Sequence, residues 1–268
     1  MAKHMKTQIA IHGACGRMGQ RLVALAQEDS DLNVVAAMDY VKHPNQGKDA
    51  GELAGVGTIG VAVGVEIPLS VHPDVVIDFS IPEATMGIVK VCEARKIPLV
   101  VATTGHTDAQ RQEIEAAAHA TAILFSPSMS LVVNLLFKLV NDTALALKGK
   151  GFDVEIVERH HRFKKDSPSG TAMHFARVLQ KAMEIPNLVH GREGIIGERP
   201  ANEIGVHAIR AGDNVGEHTI IFSTLGETLE LVHKGYSRDS YARGALEAAK
   251  FLANKPAGRY SMNDVLGL

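Results

Sequence analysis

The sequence predicts an α/β protein with a doubly wound parallel sheet in its N-terminal half and an α+β domain with a mostly antiparallel sheet in its C-terminal half. Two observations support this prediction. In the first half, short runs of β-branched and other apolar residues alternate with helical stretches of roughly 10–15 residues. After residue 205, three β-rich runs follow one another closely, separated by turn residues, which is typical of antiparallel strands.

The N-terminal half divides into strands and helices in a regular order. Strands are predicted over residues 8–12, 33–38, 75–80, 98–103 and 122–125, and helices over residues 21–28, 82–95 and 107–120. Residues 41–60 are rich in Gly, Lys and Asp and predict a loop. Because the strands are continuously apolar, helices are expected to cover both faces of the sheet. This is the Rossmann-like architecture that binds dinucleotides.

The C-terminal half has a different pattern. Helices are predicted over residues 131–147, 171–184 and 240–252, and strands over residues 153–158, 205–210, 217–224 and 227–234, with turns at Asp213-Asn214 and Leu225-Gly226. The last helix is expected to return to the first domain. We therefore predict a dinucleotide-binding domain of residues 1–130 completed by residues 240–268, and a substrate-binding and oligomerisation domain of residues 131–239.

Composition excludes several classes of protein. Of the 268 residues, 46% are hydrophobic and 22% charged, so the chain is neither disordered nor a collagen or disulfide scaffold. A net charge of −2 and 4% aromatic residues predict no nucleic-acid partner. Asn134 and Lys138 interrupt the most apolar helical stretch, so no membrane association is predicted. The two cysteines, and a first apolar run (Ile9–Ile11) too short for a signal peptide, predict a cytoplasmic location.

A glycine-rich loop follows the first strand. Its sequence, Gly13-Ala-Cys-Gly16-Arg17-Met18-Gly19, has the spacing G-x-x-G-x-x-G. Glycines there let backbone N–H groups at a helix N-terminus approach a pyrophosphate. Asp39, at the end of the second strand, can accept both ribose hydroxyls of NAD and repels a 2′-phosphate. Alternatively, the glycines serve packing alone, and Asp39 is a solvated acid at the end of a strand. The occurrence of the glycine loop and then the acid, each directly after a strand, favours dinucleotide binding.

A second motif combines histidines, a lysine and a helix start. It begins with Glu158 and includes His160, His161, Lys164 and Ser169-Gly170-Thr171. A histidine can donate a proton near neutral pH, the lysine offers a charge for an anion, and N–H groups at the helix start can hold a carboxylate. The alternative is an exposed loop. Adjacent histidines suit a metal poorly, and no cysteine or carboxylate pattern completes a site, so no metal is predicted.

These motifs together resemble one family. The glycine loop, Thr103-Thr104-Gly105 and the string from Glu158 to Thr171 are similar to those of 4-hydroxy-tetrahydrodipicolinate reductases, which act in lysine and diaminopimelate biosynthesis. The resemblance extends to residues 210–219 and to Ser237-Arg238. It implies hydride transfer to C4 of a cyclic imine after the 4-hydroxyl leaves as water, in a dicarboxylate substrate.

The resemblance also implies a role for individual residues. His160 matches the proton donor and Lys164 its catalytic partner, and both His161 and Lys164 contact substrate. Substrate carboxylates are implied to bind at Ser169, Gly170 and Thr171. The implied cofactor-binding residues are Gly13, Gly16, Arg17, Met18, Asp39, Tyr40, Thr103, Thr104, Gly105, Ser126, Ser128 and Met129.

Two positions depart from the family pattern. Tyr40 stands where many relatives carry an arginine that holds the 2′-phosphate of NADP. The expected cofactor is NADH and/or NADPH, with a modest preference for NADH, since Arg17, Lys42 or His43 can compensate. Ser126-Pro127-Ser128-Met129 replaces the Ala-Asn-Phe of some members, which leaves individual nicotinamide contacts open.

The sequence also leads to an expected assembly and leaves two alternative functions open. The second sheet is expected to have exposed edges, and the resemblance implies a homotetramer built through it. Another Rossmann dehydrogenase acting on a small amino acid is one alternative function. A non-catalytic nucleotide sensor, in which the loop of residues 159–165 contacts a partner, is the other.

Overall fold

The computed structural model describes residues 5–268, so residues 1–4 of the predicted first domain lie outside the described residues. Within that range the chain forms twelve strands: β1 (Thr7–His12), β2 (Leu32–Met38), β3 (Val63–Gly64), β4 (Val75–Asp78), β5 (Leu99–Val101), β6 (Ala122–Phe125), β7 (Asp153–His160), β8 (Asn187–Val189), β9 (Glu203–Arg210), β10 (Gly216–Thr224), β11 (Glu227–Gly235) and β12 (Gly258–Tyr260). It also forms eight α-helices: α1 (Arg17–Glu28), α2 (Ala50–Ala54), α3 (Pro82–Arg95), α4 (Asp108–Ala116), α5 (Leu131–Leu147), α6 (Gly170–Met183), α7 (Asp239–Leu252) and α8 (Met262–Leu266). In the part of the chain described, no helix is long and apolar enough to cross a membrane.

The chain separates into two compact units. Unit 1 comprises Met1–Leu131 and Asp239–Leu268, and unit 2 comprises Val132–Arg238. The seven-stranded sheet of unit 1 has the order β12-β6-β5-β4-β1-β2-β3, and every pair in it is parallel. The predicted Rossmann-like sheet is therefore confirmed. Its strands all end at one edge, where their loops can converge on a ligand.

Helices cover both faces of this sheet. On one face, Leu22 and Leu25 of α1 and Ala245 of α7 pack into a core cluster with β1. On the other face, α3 and α4 form a second cluster with residues of β1, β4, β5 and β6. The strands are apolar on both sides for this reason, since neither face meets water.

Unit 2 contains a five-stranded mixed sheet. Its order is β11-β10-β7-β9-β8; the long β10–β11 and β10–β7 pairs are antiparallel, whereas β7–β9 and β8–β9 are parallel. The predicted mostly antiparallel sheet is thus confirmed. Phe175 and Leu179 of α6 are fully buried in one core cluster with Ile156, Ile220 and other residues of β7 and β10.

The structure corrects several element predictions. Strand β9 pairs in parallel with β7 and forms no hairpin with β10, because β7 lies between them. Residues 41–60 contain α2, whose N-cap Asp49 accepts hydrogen bonds from the amides of Gly51 and Glu52. Strands β3, β8 and β12 and helix α8 were not predicted, since each is too short to show a clear periodicity. Helix α1 begins at Arg17, inside the glycine motif.

Candidate active site

The glycine loop of unit 1 needs its glycines for space. Gly13 has φ +79°, and a Cβ on it would lie 2.4 Å from the carbonyl oxygen of Phe79. A Cβ on Gly19 would lie 2.2 Å from the carbonyl oxygen of Gly13. Helix α1 is 12 residues long, and its N-cap, Gly16, offers no side chain to the first amides of the helix. The positive end of the helix is therefore open to an anion such as a pyrophosphate.

Asp39 lies beside this loop at the end of β2. Its carboxylate accepts hydrogen bonds from the amides of Cys15 and Tyr40, both at 2.9 Å. Gly13, Gly16, Asp39 and Tyr40 line a cavity of about 570 Å³. A glycine loop suited to phosphate and a carboxylate at the end of β2, both lining the same cavity, fit a nicotinamide dinucleotide. Arg17 is exposed in the first turn of α1, and Met18 packs partly buried against the core.

A buried carboxylate organises the neighbouring loops. Asp78, at the end of β4, is fully buried and has a lowered pKa; burial alone raises it, but hydrogen bonding outweighs burial. Its donors are His12 Nδ1 at 2.7 Å, Ser80 Oγ at 2.6 Å, Thr85 Oγ1 at 2.6 Å and Thr103 Oγ1 at 2.7 Å. The Thr103 hydroxyl is thereby engaged with Asp78, which fixes the loop that carries Thr104.

The remaining nicotinamide candidates follow β5 and β6 at the same sheet edge. Thr104 and Gly105 are exposed, and Gly105 has φ +92°. Ser126, Ser128 and Met129 are buried, and the Ser126 hydroxyl donates to the Ser128 carbonyl at 2.8 Å. Thr104 and Gly105 are therefore accessible to a ligand, whereas the Ser126 hydroxyl serves its own loop.

In unit 2, an ion-pair network surrounds Glu158. This residue is fully buried on β7, and the two guanidinium Nη atoms of Arg210 donate to its two carboxylate oxygens, each at 2.7 Å. His160 Nδ1 lies 2.5 Å from Oε2 of the same carboxylate. The register explains the grouping: Arg210 on β9 lies opposite His160 on β7, and residues 158 and 160 face the same side of their strand.

The charge of Glu158 determines which ring nitrogen of His160 faces it with a hydrogen. Burial alone raises the pKa of Glu158, but hydrogen bonds from His160, Arg210 and the Ser169 amide lower it to about 2. An ionised carboxylate only accepts, so Nδ1 of His160 carries a proton. The other ring nitrogen, Nε2, lies against Gly216, where a Cβ would come within 2.9 Å of it. Because Glu158 engages Nδ1, Nε2 is the ring nitrogen left to exchange a proton with a ligand.

Glu158 also anchors the segment that carries the predicted anion site. The Ser169 amide donates to Glu158 Oε1 at 2.9 Å, and Arg210 donates to the Asp166 carbonyl at 2.8 Å. Ser169 is the N-cap of α6, and its hydroxyl accepts from the Ala172 amide at 3.2 Å. Lys164 pairs with the exposed Asp166 carboxylate at 2.8 Å. Gly170 and Thr171 form the first turn of this 14-residue helix, whose dipole favours an anion.

Two more histidines border the network. His218 on β10 lies opposite Glu158, and its Nε2 lies 3.3 Å from the Ser169 hydroxyl. Burial, with the charges of His160 and His233, lowers the pKa of His218 to about 3, so this ring is neutral. Burial and the charge of Arg238 also lower the pKa of His161. Its amide donates to the Asn214 carbonyl at 2.7 Å, which holds the start of the loop.

One group of metal-ligating side chains lies in unit 1. Cys15, Asp39 and His43 place a sulfur, an oxygen and a nitrogen within 4.8 Å of one another. Cys15 and Asp39 also line the cavity beside the glycine loop. Burial together with the Asp39 charge raises the pKa of the Cys15 thiol to about 11, so the thiol is protonated. The absence of a metal stays a prediction.

Comparison with protein families covers both units. The model described as "Dihydrodipicolinate reductase, N-terminus" matches residues 7–129, and its C-terminal counterpart matches residues 132–266. The chain belongs to the dihydrodipicolinate reductase family. A Rhodopirellula baltica relative named 4-hydroxy-tetrahydrodipicolinate reductase is 48% identical, covering 97% of this chain and 96% of its own. A relative of the same name from Hahella chejuensis is 45% identical over 98% of this chain and 99% of its own.

Solved structures show the same fold. A dipicolinate-bound dihydrodipicolinate reductase from Paenisporosarcina sp. TG-14 superposes with a TM-score of 0.78 at 24% identity, covering 96% of this chain and 98% of that one. An amine dehydrogenase from Mycobacterium smegmatis has a TM-score of 0.66 at 12% identity, covering 98% and 96%. Membership of the family makes this chain an oxidoreductase with a nicotinamide cofactor.

Sequence reasoning missed four residues that organise these sites. Asp78 ends an apolar run and was interpreted only as part of a strand. Glu158 and Arg210 lie in the sequence motifs, but the sequence assigns them no role, because their contact depends on the β7–β9 register. His218 lies in the motif of residues 210–219, but the motif does not predict that it pairs with Glu158 across β10 and β7.

Proposed function

We propose that this chain reduces 4-hydroxy-tetrahydrodipicolinate to tetrahydrodipicolinate with NAD(P)H and loss of water, in lysine and diaminopimelate biosynthesis. The observation that carries the proposal is the buried network of Glu158, His160 and Arg210 at the N-terminus of α6, which holds a proton donor beside an anion cradle. The names of the relatives support the same reaction. A nucleotide sensor has no need for a positioned acid at such a cradle.

The chemistry assigns a task to each residue of unit 2. Loss of the 4-hydroxyl and a neighbouring hydrogen as water leaves a conjugated cyclic imine. A nicotinamide cofactor held by the residues of unit 1 would supply the hydride that adds to C4 of this imine. The product of that addition is an electron-rich enamine, so C3 must gain a proton. His160 donates this proton from Nε2, while Glu158 holds Nδ1–H and fixes the ring.

The two substrate carboxylates need positive partners. Lys164 exchanges its ion pair with the exposed Asp166 for one with a substrate carboxylate. Little free energy is lost with the first pair, because it is partly open to water. The first turn of α6, with Ser169, Gly170 and Thr171, holds the other through backbone amides and a hydroxyl. His161 contacts the substrate from the start of the same loop.

The cofactor residues lie in unit 1. The loop from Gly13 to Gly19 holds the pyrophosphate and Asp39 the ribose hydroxyls, because the cavity they line combines a helix N-terminus with a carboxylate. We infer a modest preference for NADH, since Asp39 repels a 2′-phosphate and the adjacent Tyr40 offers no charge. Arg17 and Lys42 limit this preference. Thr104 and Gly105 approach the nicotinamide.

We propose a homotetramer built through the sheet of unit 2. Helix α6 covers one face of that sheet, while Ile209 and Val232 on the other face are 45% and 46% exposed. Exposed apolar side chains of this kind on one face of the sheet favour contact with a second copy. Light scattering that returns the mass of a single chain would contradict this assembly. Both cysteines are free and buried, which supports a location in the reducing cytoplasm.

A coupled assay tests the proposed function. Dihydrodipicolinate synthase generates the substrate in situ, and oxidation of NADH or NADPH is followed at 340 nm. We expect turnover that depends on the synthase product. Oxidation of aspartate or homoserine with NAD, without reduction of the synthase product, would instead identify another amino-acid dehydrogenase, and cofactor binding without any turnover would identify a sensor.

A further inference from the structure

We propose that Arg210 is the permanent counter-charge of Glu158, and that this leaves His160 free to release its proton. Glu158 and Arg210 then act as positioning residues that set, in opposite directions, the pH at which His160 loses its proton. The proposal deepens the proposed function and rests on it for the kinetic experiment only. The protonation of His160 can be measured whether or not the chain turns over a substrate.

Two basic side chains, Arg210 and His160, contact the carboxylate of Glu158. Arg210 engages both oxygens of Glu158 at 2.7 Å, a bidentate geometry that arginine holds at every accessible pH. His160 shares only Oε2. Since Glu158 is fully buried, its charge cannot be solvated and needs a partner at all times. With Arg210 in place, deprotonation of His160 still leaves the carboxylate paired.

Without Arg210, the same carboxylate depends on the histidine. A neutral imidazole would then leave a buried charge uncompensated, so Glu158 would hold the imidazolium in its charged form. An imidazolium held in this way is a weaker acid and transfers its proton less readily. Arg210 therefore supports proton donation even though its contacts in this network are to Glu158 and the Asp166 carbonyl.

The other titratable groups around His160 leave Glu158 and Arg210 in control. The His218 ring on β10 lies 5.3 Å from the His160 ring and is neutral. Lys164 lies in the following loop, where Asp166 pairs with it. His161 lies next in sequence, and its pKa is lowered by burial and by nearby cations, so it adds little charge at neutral pH.

Substitutions of the two partners should have opposite effects. Glu158→Gln removes the negative partner, so the His160 titration midpoint should move to lower pH. Arg210→Gln leaves the carboxylate to His160 alone, so the midpoint should move to higher pH. Opposite charges at this distance shift such midpoints by about one pH unit or more. The double variant removes both charges, and its midpoint should return toward that of the wild type.

The experiment uses the full chain with ¹³Cε1-labelled histidine in a deuterated background. NMR follows the imidazole signals against pH, and His160→Gln identifies the His160 signal by its loss. Arg159→Gln is the matched control, since Arg159 also pairs with a glutamate, Glu217 at 2.6 Å, but its side chain is about half exposed and lies on the opposite face of β7. This control should leave the midpoint unchanged.

The kinetic experiment follows kcat against pH in the same variants. The fall of kcat on the basic side of the pH profile should shift to lower pH in Glu158→Gln and to higher pH in Arg210→Gln. The Arg210→Gln variant should also have a lower kcat near neutral pH. If Arg210→Gln does not fold, Arg210→Lys keeps the charge and should keep the wild-type midpoint. Midpoints that stay in place, or that move in the same direction in both single variants, would overturn the proposal. A chain that shows opposite NMR shifts without turnover would refute the proposed function alone.

Discussion

Replacement of Gly19 by alanine tests the assignment of the glycine loop to the cofactor. The added Cβ would lie 2.2 Å from the Gly13 carbonyl oxygen and 2.6 Å from Cα of Ala14. Both are backbone atoms, so no flexible side chain can yield. An ordinary Cβ contact begins at 3.4 Å, so helix α1 and the loop must separate by roughly 1 Å.

A displacement of that size should weaken dinucleotide binding. Misplacement of a positioned group by about 1 Å can cost about 10²-fold. We expect the Kd for NADH, measured by calorimetry, to rise at least tenfold, which corresponds to about 1.4 kcal/mol. Gly87→Ala is the matched control, because this glycine also lies within a helix, but beyond the backbone of its own helix no atom comes within 4 Å of its added Cβ. A Gly19→Ala variant that is folded by circular dichroism and binds NADH like the wild type would refute the assignment.

Four further outcomes are expected. His160→Gln should lower kcat by about 10²–10⁴-fold with NADH binding intact, and an unchanged kcat and pH profile would remove His160 as the acid. Lys164→Ala should raise KM for the dicarboxylate and slow turnover at unchanged NADH affinity, because a cationic partner is lost; unaltered kinetics would make it a surface charge. Tyr40→Arg should shift the ratio of kcat/KM values toward NADPH, since it offsets the repulsion by Asp39, and a constant ratio would contradict this. Burial raises the pKa of Glu155, but hydrogen bonds from Arg192, His207 and Arg199 lower it from 4.5 to about 2. The ionised Glu155 therefore stabilises the folded chain fully above pH 4.5, and this contribution is lost as the pH falls toward 2. In Glu155→Gln, the free energy of unfolding, measured with urea, should fall less steeply between these pH values.

The long elements could be predicted because their patterns are local. The predicted helix over residues 82–95 has the same bounds in the structure, since Pro82 suits a first turn and the basic Arg95 lies in the last one. Helix α1 was predicted to begin late, because its first residues belong to the glycine motif, where composition favours a loop. The strand of two residues at Val63–Gly64 has no pattern of its own and exists through its pairing with β2.

The candidate site in unit 2 could be predicted only in part. His160, Lys164 and the start of α6 lie within twelve residues of sequence, so their proximity follows from the motif itself. The contact between Glu158 and Arg210 spans 52 residues and depends on a parallel pairing. The turn at Asp213-Asn214 predicts that residues 205–210 and 217–224 are antiparallel neighbours, and this prediction gives no reason to place Arg210 beside Glu158. The proposed proton donor therefore lies in a motif that the sequence shows, whereas the pairing of Glu158 with Arg210 beside it could not be predicted.

The hydrogen bonds to Asp78 have a consequence for engineering. One carboxylate receives donors from the end of β1, the loop after β4, helix α3 and the loop after β5, so it links these four segments to one another. A transplanted loop from a relative at residues 103–105 would succeed only if it brought a hydroxyl to position 103. Without that hydroxyl Asp78 would lose one donor, and the graft would disturb His12, which binds the same carboxylate and lines the cavity beside the glycine loop.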